Sequence, residues 1–206
     1  MNQHIRAGIV PRFLFAFGLA ALVLAPAPAE AAGFVIFEQG GKAMGMAGAF
    51  TAQADDASAL FYNVGGVAFL DEREIYLGAS LISLGDSTFQ GQAPFPGPSA
   101  TGEQKSQIVT PPHAYWVQPI NEQFKFGLAL NAPFGLVTEW EGGANWSGRF
   151  LSEKAELINI DVTPTIAWRV SDRTGIALGV VARFAEVELR NRNAAINPVT
   201  GQPADV

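Results

Sequence analysis

Apolar and polar residues alternate along the second half of the chain with a period of two, the signature of strands with unlike faces. The clearest run is Leu157 to Val170. Ile158, Ile160, Val162, Pro164, Ile166, Trp168 and Val170 share one parity there, and Leu157, Asn159, Asp161, Thr163, Thr165, Ala167 and Arg169 share the other. Phe124, Phe126, Leu128 and Leu130 similarly oppose Lys125, Gly127, Ala129 and Asn131. Residues 174–190 continue the theme through Ile176, Leu178, Val180, Ala182 and Phe184, while Arg73 to Leu84 and Ile108 to Gln118 carry it more weakly. The pattern predicts five strands, at about 73–84, 108–118, 124–134, 157–170 and 174–190.

The connections alternate in length. Gly85 to Gln107 and Gly135 to Ala155 are long, whereas Pro119 to Gln123 and Ser171 to Arg173 are tight. Short turns at one end and long loops at the other fit an outer-membrane barrel. A soluble sandwich also alternates, because one face of each sheet is buried. Three features favour the barrel: apolar faces of about ten residues, the span a tilted strand needs; small and polar opposite faces; and Trp116 and Trp168 near strand ends, where aromatic girdles lie. Five strands cannot close a barrel, and an open edge in lipid leaves amides unsatisfied. With a polar, loop-like tract from Asn197 onward, the expected fold is all-β: the N-terminal portion of a longer transmembrane antiparallel β-barrel.

Two segments precede the strands. Met1 to Ala31 reads as a secretory signal, with Arg6 and Arg12 ahead of an apolar stretch from Phe13 to Ala25 and a small-x-small site at Ala29-Glu30-Ala31. That stretch is too short to span a bilayer. Residues 32–72 are rich in Gly and Ala and show no period, which predicts a compact, irregular unit with one or two short helices. Asp55 or Asp56 is placed to cap one of them over Ala57 to Tyr62.

Composition narrows the chemistry. Only 16% of residues are charged and 22 are Gly, against about 25% and about 7% in average globular chains, a balance that suits contact with lipid. No cysteine is present, which removes disulfides, thiolate nucleophiles and cysteine-ligated metals; 13 basic against 19 acidic residues argue against nucleic acid. Past the signal only His113 remains, so a two-histidine metal site is impossible and any Ser-His-acid arrangement would have to use it. His113 reads better as a lumen-facing or girdle residue. No cofactor, metal or catalytic residue is expected. Trp140, Trp146 and Phe150 cluster in the second long loop and fit either an external apolar landing site or loop self-packing.

Four segments in order, 32–34, 54–63, 118–124 and 131–136, resemble the FadL/TodX-type outer-membrane transporters of long-chain fatty acids and aromatic hydrocarbons. The resemblance implies a fourteen-stranded barrel closed by an N-terminal hatch, here 32–72. It also implies capture of hydrophobic molecules among external loops, passage to an apolar pocket, and sideways release at a kink in the third strand. Pro133 and Gly135 stand at the end of that strand here. Pro cannot donate to a ladder and Gly often marks a bulge, so an opening there has its own physical basis; a plain strand end is the other reading. The ligand-binding or gating residues expected are Gly33, Phe34, Asn63, Asn131, Pro133, Phe134, Gly135, Trp140, Trp146, Phe150 and Arg183.

Two positions depart from the family. Asn63-Val64-Gly65 stands where Asn-Pro-Ala is usual, and Glu186 where fatty-acid members carry a basic residue, with Arg183 three positions earlier on the other face. The second departure leaves uncharged hydrocarbons open as ligands. The expected function is passive uptake of fatty acids or aromatic hydrocarbons across the outer membrane of a Gram-negative bacterium. The full-length protein would be a monomer in contact with outer-membrane lipid, and not an enzyme. An outer-membrane lipid hydrolase using His113 and a soluble periplasmic binding sandwich are the rivals.

Overall fold

The structure, a computed structural model, describes residues 35–91, 100–196 and 203–205. The expected signal, together with Gly33 and Phe34, lies outside the described residues. Five strand-like arms form an antiparallel meander. The first contains β1 (Glu74–Ala79), β2 (Ile82–Leu84) and β3 (Thr88–Gln90), and the second β4 (Thr101–Glu103), β5 (Gln107–Val109) and β6 (Pro112–Pro119). The third is β7 (Phe124–Asn131) and β8 (Gly135–Glu139), the fourth the single strand β9 (Lys154–Ser171), and the fifth β10 (Thr174–Gly179) and β11 (Ala182–Arg190). Two further short strands, β12 (Ala194–Ile196) and β13 (Pro203–Asp205), pair with each other.

Where a loop was expected from Gly85 to Gln107, the first hairpin instead keeps one register from Glu74↔Val117 through Ile82↔Val109 to Thr88↔Glu103. The tight turns are locally encoded. Asn121 Oδ1 accepts from the amides of Gln123 at 2.9 Å and Phe124 at 2.8 Å, the Asx geometry that reverses a chain without glycine.

Exposure decides which face is which. Along β9, Asn159, Asp161, Thr165 and Ala167 are buried, whereas Ile158, Ile166, Trp168 and Val170 are exposed. The register extends both faces across the sheet: Leu130 and Phe184 join the apolar side, Asn131 and Ala129 the buried one. A sandwich would bury the greasy parity. This sheet is inside-out, as lipid requires. From Ile158 to Trp168 the strand rises about 33 Å, and at the usual tilt of about 40° it covers about 25 Å of depth, the height of a barrel's apolar band.

The inward face is covered by residues 35–72. This segment contains two short helices, Gly41–Gly45 and Ala59–Tyr62, and a 3-10 turn, Val64–Phe69; the second helix, the turn and the residues beside them pack Ala57, Ala59, Leu60, Val67, Ala68 and Leu70 against Tyr115, Val117, Ala129 and Ala167. Small strand residues make room for them. A Cβ on Gly127 would stand 2.4 Å from Leu60 Cδ2, and one on Gly175 would stand 2.5 Å from the Gly65 carbonyl oxygen. Neither short helix has a side-chain cap; Asp56, expected to cap a helix from Ala57, accepts from the Ser58 amide at 2.9 Å just ahead of the second helix, which starts at Ala59. Ion pairs fasten the far end of the segment, with Asp71 facing both the buried Lys125, at 3.2 Å, and Arg169, at 3.5 Å.

Candidate functional site

The third arm is interrupted where the sequence places its proline. Asn131 pairs with Asp161 and Gly135 with Ile158, so Ala132, Pro133 and Phe134 stand opposite only Asn159 and Ile160. That one-residue excess is a bulge, and Pro133 cannot donate to the ladder. The backbone groups it frees find partners elsewhere. Phe134 N donates to Asn159 Oδ1 at 3.1 Å, Gln39 Nε2 donates to the Ala132 carbonyl at 2.8 Å, and Ile36 N donates to the Pro133 carbonyl at 2.8 Å. Val35 forms a bridge with Phe134. The segment from Val35 to Gln39 therefore fills the gap, in a setting where each unpaired backbone group would otherwise be severely penalised.

That segment is held mostly by its main chain. Tyr115 Oη donates to the Gln39 carbonyl at 2.9 Å, Ser80 Oγ to the Glu38 carbonyl, and Tyr62 Oη to the Phe37 carbonyl, while Gln39 N donates to Tyr62 Oη at 3.1 Å. Burial pushes the Tyr62 phenol up from its ordinary value. Tyr76 Oη accepts from Gly41 N at 2.6 Å.

Beside the gap lies a polar row. Arg183 on β11 donates from Nε to Asp161 Oδ1 at 2.8 Å and from Nη2 to Oδ2 at 2.7 Å, and its guanidinium sits 4.6 Å from the centre of the Phe134 ring. Asn159 Nδ2 also donates to Asp161 Oδ1, at 3.2 Å, linking the ion pair to the Phe134 amide. Opposite Asp161 stands the buried Asn131. This register settles the faces: Arg183 points inward, while Glu186, opposite Ile158, points outward.

Beyond this row the alternation inverts its phase. On β9 the outward parity changes from Ile158 to Glu156 and Lys154, and on β11 from Phe184 to Glu186, Glu188 and Arg190. Leu157, Leu136 and Val187 form one inward row across three strands, and Leu189 follows beyond it. Leu136, Val187 and Leu189 are exposed. Outward, Lys154 pairs with Glu156 and Glu188. The outer surface thus leaves hydrocarbon at the level where the inner surface becomes apolar. An open inner wall of this kind can hold an apolar molecule by burial alone, at about 25 cal/mol per Å² covered.

Residues 22–205 match the family described as outer membrane protein transport protein (OMPP1/FadL/TodX). The chain belongs to this family. It is 26% identical over 183 residues to the long-chain fatty acid transport protein of Escherichia coli O6:H1, a match covering 88% of this chain and 40% of the relative. It is 32% identical over 142 residues to the 47 kDa outer membrane protein of Pasteurella multocida, covering 68% and 32%. The crystal structure of a Pseudomonas aeruginosa FadL homologue shares its fold, with a TM-score of 0.60 at 23% identity over 79% of this chain and 40% of that one. The chain thus spans about two fifths or less of the length of these proteins. The fold is a transmembrane β-barrel portion of the OMPP1/FadL/TodX type, and the family's place is the outer membrane of Gram-negative bacteria.

Of the residues singled out from sequence, Asn131, Pro133, Phe134, Gly135 and Arg183 converge on the gap. Asn63 does not: it caps the helix Ala59–Tyr62, and its Nδ2 donates to the Thr51 carbonyl at 2.8 Å. Trp140 and Trp146 stack at 5.1 Å between ring centres with Phe89 against both, and Trp146, only 5% exposed, donates from Nε1 to the Ser152 carbonyl. Their rings pack the loop on the first hairpin. Phe150 lies under the Arg149 guanidinium at 4.3 Å. His113 is buried between Tyr76 and Tyr115, and its Nδ1 has no hydrogen-bond partner among the described residues. Sequence reading missed Gln39, Asn159 and Asp161 as gap residues and the inner leucines. The phase inversion itself is visible in the sequence, as Phe184 gives way to Glu186 and Glu188 at the same parity.

Proposed function

We propose that the full-length protein carries hydrophobic small molecules passively across the outer membrane, with residues 32–72 as its hatch, the inner wall of Leu136, Leu157, Val187 and Leu189 as a holding surface, and the strand gap at Ala132 to Phe134 as a sideways exit. The observation that carries this reading is the gap's occupant. Val35 to Gln39 satisfies groups that the sheet leaves unpaired, so withdrawing this segment, with Gly33 and Phe34 ahead of it, opens a hole next to the inner apolar wall at the level of Ile160 and Phe184, where the outward face is still apolar. A molecule leaving there enters hydrocarbon and never has to cross the polar seal formed by Asp71, Lys125 and Arg169.

Uptake of labelled palmitate and of toluene by cells carrying the full-length gene tests the proposal. A Pro133→Val variant without its own extra residue, made by deleting Phe134, lets the third arm pair continuously with β9. It should lower uptake at least about tenfold, roughly 1.4 kcal/mol on the barrier, while the protein still migrates in gels as a folded, heat-modifiable barrel. Undiminished uptake by this folded variant would refute the lateral exit.

A further inference from the structure

We infer that the Asp161–Arg183 pair is a specificity device: it keeps the guanidinium occupied, so the inner wall prefers uncharged hydrophobic molecules over those bearing a carboxylate. This rests on the transport reading above and adds its substrate class.

The geometry leaves Arg183 little to offer. One edge of its guanidinium is committed to Asp161, Nε at 2.8 Å and Nη2 at 2.7 Å, so its charge is already paired, and the Phe134 ring lies against its face; the N–H groups left on the other edge bring no unpaired charge to a ligand. Yet the side chain is 49% exposed, so it lies in the surface that an arriving molecule meets. Asp161 is fixed, with a side chain only 7% exposed and a third hydrogen bond from Asn159 Nδ2. A carboxylate that drew Arg183 away would exchange one ion pair for another and leave Asp161 buried and unpaired, an unfavourable trade. Other cations on or beneath the inner face are engaged too: Lys125 and Arg169 with Asp71, and Lys42 with Asp55. An acid reaching Leu157 and Val187 would thus shed water from its charge without an unpaired cation among these residues to replace it, whereas a hydrocarbon has no charge to desolvate and an ester loses only the weaker hydration of its carbonyl.

Binding of radiolabelled oleate and methyl oleate to the full-length protein in detergent, at alkaline pH, tests this. The wild type should hold methyl oleate about tenfold more tightly than oleate. Asp161→Asn frees the guanidinium and should raise oleate affinity about tenfold while leaving the ester within about twofold. The double variant Asp161→Asn/Arg183→Gln, which leaves no stranded charge, should restore the preference for the ester; heat-modifiable migration confirms that each variant folds. A wild-type preference for oleate overturns the inference: its loss in the double variant would put the carboxylate on Arg183, and its retention would put it on another cation. Failure of every variant to bind either lipid would instead overturn the transport reading, and this inference with it.

Discussion

An arginine placed at successive depths on the outward parity of β9 reads the membrane's position from the protein's own stability. Val162 lies about 13 Å along the strand from Ile158 and about 20 Å from Trp168, or about 10 and 15 Å in depth at the usual tilt. It is therefore close to the middle of the apolar band. Val162→Arg should destabilise the folded barrel by about 2–4 kcal/mol, on the order of a hundredfold in the folding equilibrium, because the charge must sit in hydrocarbon. Ile158→Arg, beside Glu156 and Glu186 where the outward face turns polar, should lose only about 0–1 kcal/mol. The assay is equilibrium folding of the full-length protein into phosphocholine vesicles against guanidinium, followed by tryptophan emission and gel migration. A flat profile, or a larger loss at Ile158 than at Val162, would refute the placement of the apolar band and with it the inside-out reading of the sheet.

Three further outcomes are expected. Gly148→Ala puts a Cβ 2.2 Å from Trp146 Cζ2, so the loop from Trp140 to Glu153 should loosen by about 1–3 kcal/mol and be cut faster by protease; an unchanged digestion rate would show that the tryptophan pack is not closed on this side. Gly175→Val meets a backbone carbonyl that cannot swing aside, so the turn Val64–Phe69 should be pushed off the sheet and cells should become sensitive to vancomycin, a leak that a non-occluding segment would not produce. Lys42 holds the Asp55 carboxyl below its ordinary range. The contribution of this pair is therefore present above the ordinary carboxylate value and lost only as pH falls through the depressed one. Amide exchange at Gly41–Gly45, corrected for its intrinsic rate, should accelerate in strong acid alone, and acceleration in mild acid would implicate a different group.

The parity of the strands was legible because lipid demands an unbroken greasy side, and Ile158 to Val170 supplies it without exception on that parity. What the inner side does beyond Asp161 was not. Leu157 looks like a stray apolar residue among polar neighbours until β8 and β11 set Leu136 and Val187 beside it, and such registers are non-local. The faces of Arg183 and Glu186 were fixed by the same pairing. The first hairpin outran its expected length because Thr88–Gln90 and Thr101–Glu103 lie where neither side meets lipid, so nothing forces an amphipathic pattern on them. The filling of the gap by Val35 to Gln39 had no signal at all, since backbone atoms make most of its bonds.

That last property shifts where mutations are tolerated. A stopper gripped through its peptide groups is indifferent to most of its own side chains, so Ile36, Phe37 and Glu38 are free to drift. Tyr62, Ser80 and Tyr115, which do the gripping from elsewhere in the chain, are not. Gln39 is the exception within the stopper, because its amide reaches the Ala132 carbonyl.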